Sequence, residues 1–362
     1  MAEPGAMARL APCGRRLLAI AQRLLAIAQR LLTVLLLLFI VLRVLPADPA
    51  APAAEIGATR QQTSLDEALP MQFAIWLGWL VQGDLGHSSH LDRPVAGLLA
   101  EALPATVELA ILASSVAVLL GVAGGLVLFA LQWGGWQGAG GRGTGGRGTG
   151  RRGETRAALA ETGTMLLMSI PAFLWALLFI LVFGVLLAAM PFTGRLDPGL
   201  SHPFITGFLL LDTLLVGDPR AFLSAARHMV LPAVALGIGF APLVMRVLRA
   251  SLIEAYQADY ILQARLRGLS EEQVLLRHAL GHAALPTLGL LRAQCGLLLG
   301  AAVLVEVIFA YPGMGRLLVD AMRNTDLSVI QGVVLAYCAV VLSANVLIDG
   351  LHLLLNPRPR AR

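Results

Sequence analysis

The fold class that this sequence predicts is all-α: a polytopic membrane protein of six transmembrane helices with a cytoplasmic helical hairpin. Three observations carry it. Of the 362 residues, 57% are hydrophobic and only 14% charged, against roughly a quarter charged in soluble domains. Six stretches are apolar over the roughly 20 residues that a helix needs to cross a hydrocarbon core of ~30 Å. The remaining charge is sorted along the chain: all 27 basic residues are arginine, and they gather in alternate connecting segments, as short cytoplasmic loops require.

The absence of lysine excludes chemistry. A phosphate-gripping P-loop, a Schiff-base lysine and a Ser-Lys dyad all need one. If ATP drives this protein, another chain binds it. Cys13, Cys295 and Cys338 lie far apart, two of them in apolar runs, so neither a disulfide framework nor a zinc site is indicated.

The expected spans lie near 24–45, 106–131, 164–189, 229–248, 285–310 and 328–355. Placing both termini in the cytoplasm puts 18 of the 27 arginines inside and eight outside, with Arg292 within a span. The first span, with its short leucine-rich core and Ala50-Ala51-Pro52-Ala53-Ala54 beyond it, also fits a cleaved secretory signal. Ahead of it, residues 1–30 form a basic segment in which Arg16–Gln22 recurs as Arg23–Gln29. The period of seven aligns Arg16, Arg23 and Arg30 on one helical stripe, suited to anionic headgroups; a tandem duplication that lengthens the helix explains it equally.

Residues 31–105 hold the first span and an extracytoplasmic segment, and 106–356 the core of the membrane domain, ahead of a short tail, 357–362. Met71–Val81 is apolar and aromatic but too short to cross, which reads as a helix lying in the outer interface. The connection 132–160 contains a Gly/Arg run, Gln137–Arg152, whose glycine density predicts a solvated linker and does not require nucleic acid as a partner.

After the fourth span, 254–286 reads as two helices around an elbow. Ile253, Tyr256, Tyr260 and Ala264 recur at helical spacing. Gly268 supplies a residue free to take positive φ and end the helix. Ser270 and Gln273 fit a capping box, with Glu271 and Glu272 in the first turn, where the helix dipole favours negative charge.

Asp259-Tyr260, Ala264-Arg265, Gly268-Leu269-Ser270, Leu276-Arg277-His278-Ala279-Leu280 and Leu285-Pro286 together resemble the EAA loop of ABC-importer permeases, in its dipeptide, oligopeptide and nickel variant. Leu42–Ala50, Gly83–Gly86, Leu103–Thr106, Glu306–Gly315, Asp326–Val333 and Asn356–Arg358 resemble further segments of that family. The sequence departs from the pattern at Leu262-Gln263, at Gly281-His282, in the long Gly/Arg connection and at Arg292. The resemblance implies a bacterial inner-membrane permease that binds no cofactor itself, with ATP and Mg²⁺ held by two ABC ATPase subunits. A second homologous permease, in a heterodimer, and an extracytoplasmic solute-binding protein complete the expected partners. On this analogy Ala264, Gly268, Leu269 and Ser270 form the ATPase-coupling helix, and no residue is catalytic.

Ionisable groups at membrane depth cost at least ~2.5 kcal/mol and face a partner or a water-filled path. Glu108, Arg292, Glu306 and Asp349 are the candidates for the translocation path, Arg292 as a group that attracts a peptide carboxylate or as a snorkelling or subunit-pairing arginine. His278 and His282 have metal-ligand spacing without the glutamate of HExxH, so they read as elbow packing. His87, His90 and Asp92 read as a solvated loop, and no metal is assigned. The function expected is import of short peptides or similar solutes by alternating access, with nickel or a metal chelate as the alternative cargo. An intramembrane enzyme would need a nucleophile and base that no motif supplies, and a secondary transporter would favour more ionisable residues and an inverted repeat.

Overall fold

The computed structural model describes residues 69–137, 151–200 and 203–355, with single positions between 29 and 40. The seven-residue repeat, most of the first span with its cleavage alternative, the Gly/Arg run at 138–150 and the tail from Asn356 lie outside the described residues.

The elements are α1 (Leu69–Val81), α2 (Val95–Gln137), α3 (Arg151–Ser169), α4 (Ala172–Phe179, continued by a π-helical segment, Ile180–Leu186) and α5 (Leu209–Val216). There follow α6 (Pro219–Tyr256), α7 (Asp259–Leu266), α8 (Glu271–Ile308, π-helical over Val274–Ala279), α9 (Met314–Arg323) and α10 (Leu327–Leu355). No strand forms among the described residues. Among the described residues four helices, α2, α6, α8 and α10, are long and apolar enough to cross a membrane. The third expected span is not one continuous helix: α3 and α4 meet at 87°. The break falls at Ile170-Pro171, where Pro171 takes φ −60° and ψ 151°. Proline brings no N–H to the helical ladder and disfavours α geometry in the residue before it, so apolarity runs through the break while the helix does not.

The chain divides into two compact units. One comprises the residues up to Leu98 and Ala321–Leu342. In it Phe73 and Trp76 of α1 pack on Phe39, with ring centroids 5.4 and 5.9 Å away, and the Trp76 indole donates to Gln331 at 3.3 Å. Asp326 starts α10: its carboxylate accepts from the Val329 amide at 3.2 Å and from the Ser88 hydroxyl at 2.5 Å.

The other unit, Leu99–Asp320 with the residues from Ser343 onward, is organised around α6, which packs against α3, α4, α5 and α8. Lipid is as apolar as leucine, so burial alone does little to join helices inside a membrane; close contact of small residues does. Ala113 and Ala117 of α2 and Ala233, Ala235 and Ala241 of α6 are buried accordingly. Where α2 and α6 cross there is no room for a side chain. A Cβ at Gly121 would lie 2.5 Å from the Val244 side chain, and one at Gly237 would lie 2.5 Å from Val116 Cγ1 and 3.0 Å from the Ala113 carbonyl.

Candidate functional site

The hairpin between α6 and α8 forms as the local chemistry dictates. Gly268 takes φ +79°, a conformation that an L side chain resists, and ends α7. The Ser270 hydroxyl then accepts from the Gln273 amide at 3.3 Å while the Gln273 side chain accepts from the Ser270 amide at 3.2 Å, a reciprocal capping box. Beneath the elbow, Ile261, Ala264, Val274 and Ala279 are buried together with Leu248, Leu252 and Tyr256 at the end of α6. Ala264, expected in the coupling surface, is turned into this floor and is 4% exposed. The outward residues are Leu262 and Leu266, 57% and 79% exposed, beside Gly268 and Ser270, with Leu269 part-buried. Arg265 bridges the elbow with two bonds to Glu271, 2.8 and 3.2 Å. His282 packs on Tyr260, ring centroids 4.8 Å apart with the planes tilted by 40°.

At the opposite end of α8 lies a network that periodicity did not reveal. Glu306 is fully buried. Its carboxyl accepts from the Thr106 hydroxyl and the Gly315 amide, both at 2.7 Å, and from the Arg316 amide at 3.3 Å. Thr106 in turn accepts from the Met314 amide at 2.7 Å. The carboxyl and the hydroxyl therefore cap the start of α9, satisfying donors that the helix leaves free. The Tyr311–Gly315 turn must be glycine-rich for this contact: a Cβ on Gly313 would fall on the Glu306 carboxyl, and one on Gly315 would lie 2.5 Å from Val303 Cα.

Glu108, two residues beyond Thr106 on α2, works the same way. It accepts from the Leu209 and Leu210 amides at 3.1 and 2.8 Å, capping α5, and from the Arg195 guanidinium at 2.7 Å. Arg195 lies over the ring of the buried Tyr311, 5.5 Å from its centroid. Asp212, in the first turn of α5, accepts from the Thr206, Gly207 and Ile205 amides of the preceding connection and from the Thr206 hydroxyl. Burial raises its pKa, but the hydrogen bonds together outweigh that and hold the carboxyl below its ordinary value.

Of the four membrane-depth candidates, Glu108 and Glu306 are thus occupied by helix N-termini. Arg292 and Asp349 pair with each other at 2.7 Å, between α8 and α10, with side chains 41% and 40% exposed. Four participants were missed in the sequence: Thr106 as the partner of Glu306, Arg195, Asp212 and Asp326. Thr106 and Asp326 stood inside noted segments, Leu103–Thr106 and Asp326–Val333; Arg195 sits in a connection without periodicity and Asp212 in the first turn of the short α5, and only contact geometry identifies their roles. Near His87 and His90, the His90 amide donates to Asp326 at 3.4 Å. Among the described residues no group of three His, Cys, Asp or Glu side chains comes together as a metal site would.

A family model described as "Binding-protein-dependent transport system inner membrane component" matches residues 143–361. The chain belongs to this family. It matches relatives named as permease proteins along most of their length. A di/tripeptide transport system permease protein of Pseudomonas aeruginosa is 34% identical over 341 residues, covering 90% of this chain and 94% of the relative. A dipeptide transport system permease protein of Escherichia coli K12 is 33% identical over 339 residues, with the same coverage. A putative peptide permease protein of Brucella ovis is 34% identical over 333 residues, covering 89% of this chain and 92% of the relative. Among solved structures, a chain of the MetNI methionine ABC transporter in inward-facing conformations matches 72% of this chain and 96% of its own, with a TM-score of 0.50 at 13% identity. That likeness concerns the fold, an ABC-importer permease fold. This inner membrane component is accordingly a multi-pass transport subunit.

Proposed function

We propose that this chain is the permease subunit of an ATP-driven importer of short peptides, paired with a second permease, served by an extracytoplasmic solute-binding protein and driven by two ATPase subunits that dock on the 254–286 hairpin. The observation that carries the reading is the elbow: a capped turn over an apolar floor that presents Leu266, Gly268 and Ser270 outward, with Leu269 part-buried. In this chain, which offers no lysine for a phosphate loop, such a knob receives force instead of generating it. Both termini lie in the cytoplasm in this arrangement, as the arginine distribution favours. Relatives named for dipeptide and di/tripeptide transport support the cargo.

Within the membrane, Arg292 and Asp349 are the residues we assign to the translocation path. A half-exposed ion pair is costly against lipid and acceptable against water or protein. Glu108 and Glu306 act beside the path by holding α5 and α9 in place, and Ala264 supports the coupling surface from beneath. Import of labelled dialanine into vesicles holding the chain with its permease, ATPase and binding-protein partners tests the function. ATP-dependent uptake, lost in Gly268→Pro together with co-purification of the ATPases, supports it; uptake that persists without any ATPase overturns it.

A further inference from the structure

One side chain that ties the hairpin to the membrane helices is not among the elbow's outward residues. Arg265 leaves α7 and makes a fork of two bonds to the Glu271 carboxylate at the start of α8, 2.8 and 3.2 Å. The same guanidinium lies over the Tyr256 ring at the end of α6, 5.5 Å from its centroid. Tyr256 packs on Phe129 of α2, centroids 4.8 Å apart. One cation therefore links α7 to α8 and α6, and through Tyr256 to α2. The apolar floor already holds the elbow closed, but apolar contact is non-directional and does not prevent α7 and α8 from scissoring about Gly268. A bidentate guanidinium–carboxylate pair fixes orientation as well as distance. The pair is also partly solvated, 32% and 48% exposed, where such bridges add little stability. Its value is geometric.

We propose that Arg265 is the positioning residue of energy coupling, a strut that converts displacement of the elbow into concerted movement of α2, α6 and α8. The proposal rests on the permease reading above. Without the strut, the ATPases still dock on the elbow, but part of each stroke is absorbed by bending at Gly268 and ATP is hydrolysed without import.

The test uses the complete transporter in vesicles, with dialanine as solute, and reads ATP hydrolysed per dialanine imported, beside the ATPase co-purified with each variant. Arg265→Gln and Glu271→Gln are each expected to raise that ratio by at least about threefold with ATPase content unchanged. Arg265→Lys, which keeps the charge and loses the fork, falls between these and the starting value. Single variants with an unchanged ratio overturn the proposal, as does loss of bound ATPase, which makes Arg265 a docking residue. If the unmodified complex imports no dialanine, the permease reading itself fails; normal import with an unmoved ratio removes the strut alone.

Discussion

Thr106→Val removes one hydroxyl and almost no volume from the junction of α2, α8 and α9, so its cost reports the network alone. Two bonds vanish: the hydroxyl no longer donates to Glu306 (2.7 Å) and no longer accepts from the Met314 amide (2.7 Å). Thr106 and Met314 are fully buried, so the amide gains no water in exchange. A typical bond contributes about 0.5–1.5 kcal/mol, and a buried donor left unsatisfied costs about 1–3 kcal/mol. We therefore expect a loss of about 3 kcal/mol, or roughly a hundredfold in the folding equilibrium. Side-chain bonds between membrane helices average only about 0.6 kcal/mol, with a maximum near 1.7, so the prediction separates a capping junction from an ordinary interhelical contact. Reversible unfolding in bicelles, titrated with sodium dodecyl sulfate, measures it, with Thr106→Ser as the control that retains the hydroxyl. A Thr106→Val cost below about 1 kcal/mol would refute the capping argument.

The same unfolding measurement distinguishes two glycines of α8 and its turn. Gly315→Ala forces a Cβ to within 2.5 Å of Val303 Cα and should cost about 3 kcal/mol or more, whereas Gly300→Ala enters open space and should be neutral or stabilising by up to about 1 kcal/mol. Gly268→Ala, at φ +79°, should cost roughly 1–2 kcal/mol locally, seen as faster amide exchange at the elbow with little change in the global unfolding midpoint. Because the Asp212 carboxyl sits below its ordinary value of 3.8, its contribution to stability is fully present above pH 3.8 and is lost as the pH falls through the lowered folded-state value. Thermal unfolding should show that acid loss in the unmodified chain, and Asp212→Asn should be less stable at neutral pH and flatter below pH 4.

Much of the architecture could be read before any coordinates, for reasons that differ by element. The spans were visible because hydrocarbon demands long apolar runs, and the described helices α2, α6, α8 and α10 answer four of the six expectations directly. The elbow was visible because Gly268, Ser270 and Gln273 carry their geometry in their chemistry. The break at Pro171 was hidden by apolar residues on both sides, so hydropathy read one span through it. Glu108 and Glu306 were legible as unusual, since charge in a span always is. Their employment was not, because the amides they accept from lie 101 and 9 residues away in sequence, at the starts of short helices whose docking hydropathy does not report. Periodicity spoke for Ala264 as helical but not for which side of the hairpin it serves. The π-helical turn at Val274–Ala279 has no compositional mark at all.

The crossing of α2 and α6 at Gly121 and Gly237 limits how the molecule can work. With the helix surfaces meeting almost at the main chain there, neither helix can roll on the other without driving Val244 or Val116 into backbone, so the two travel as a single lever. The compliance that a rocking cycle needs must come from joints that carry no continuous amide ladder. Ile170-Pro171 is such a joint, so stiffening it, as by Pro171→Ala, should slow turnover while leaving the lever and the hairpin intact.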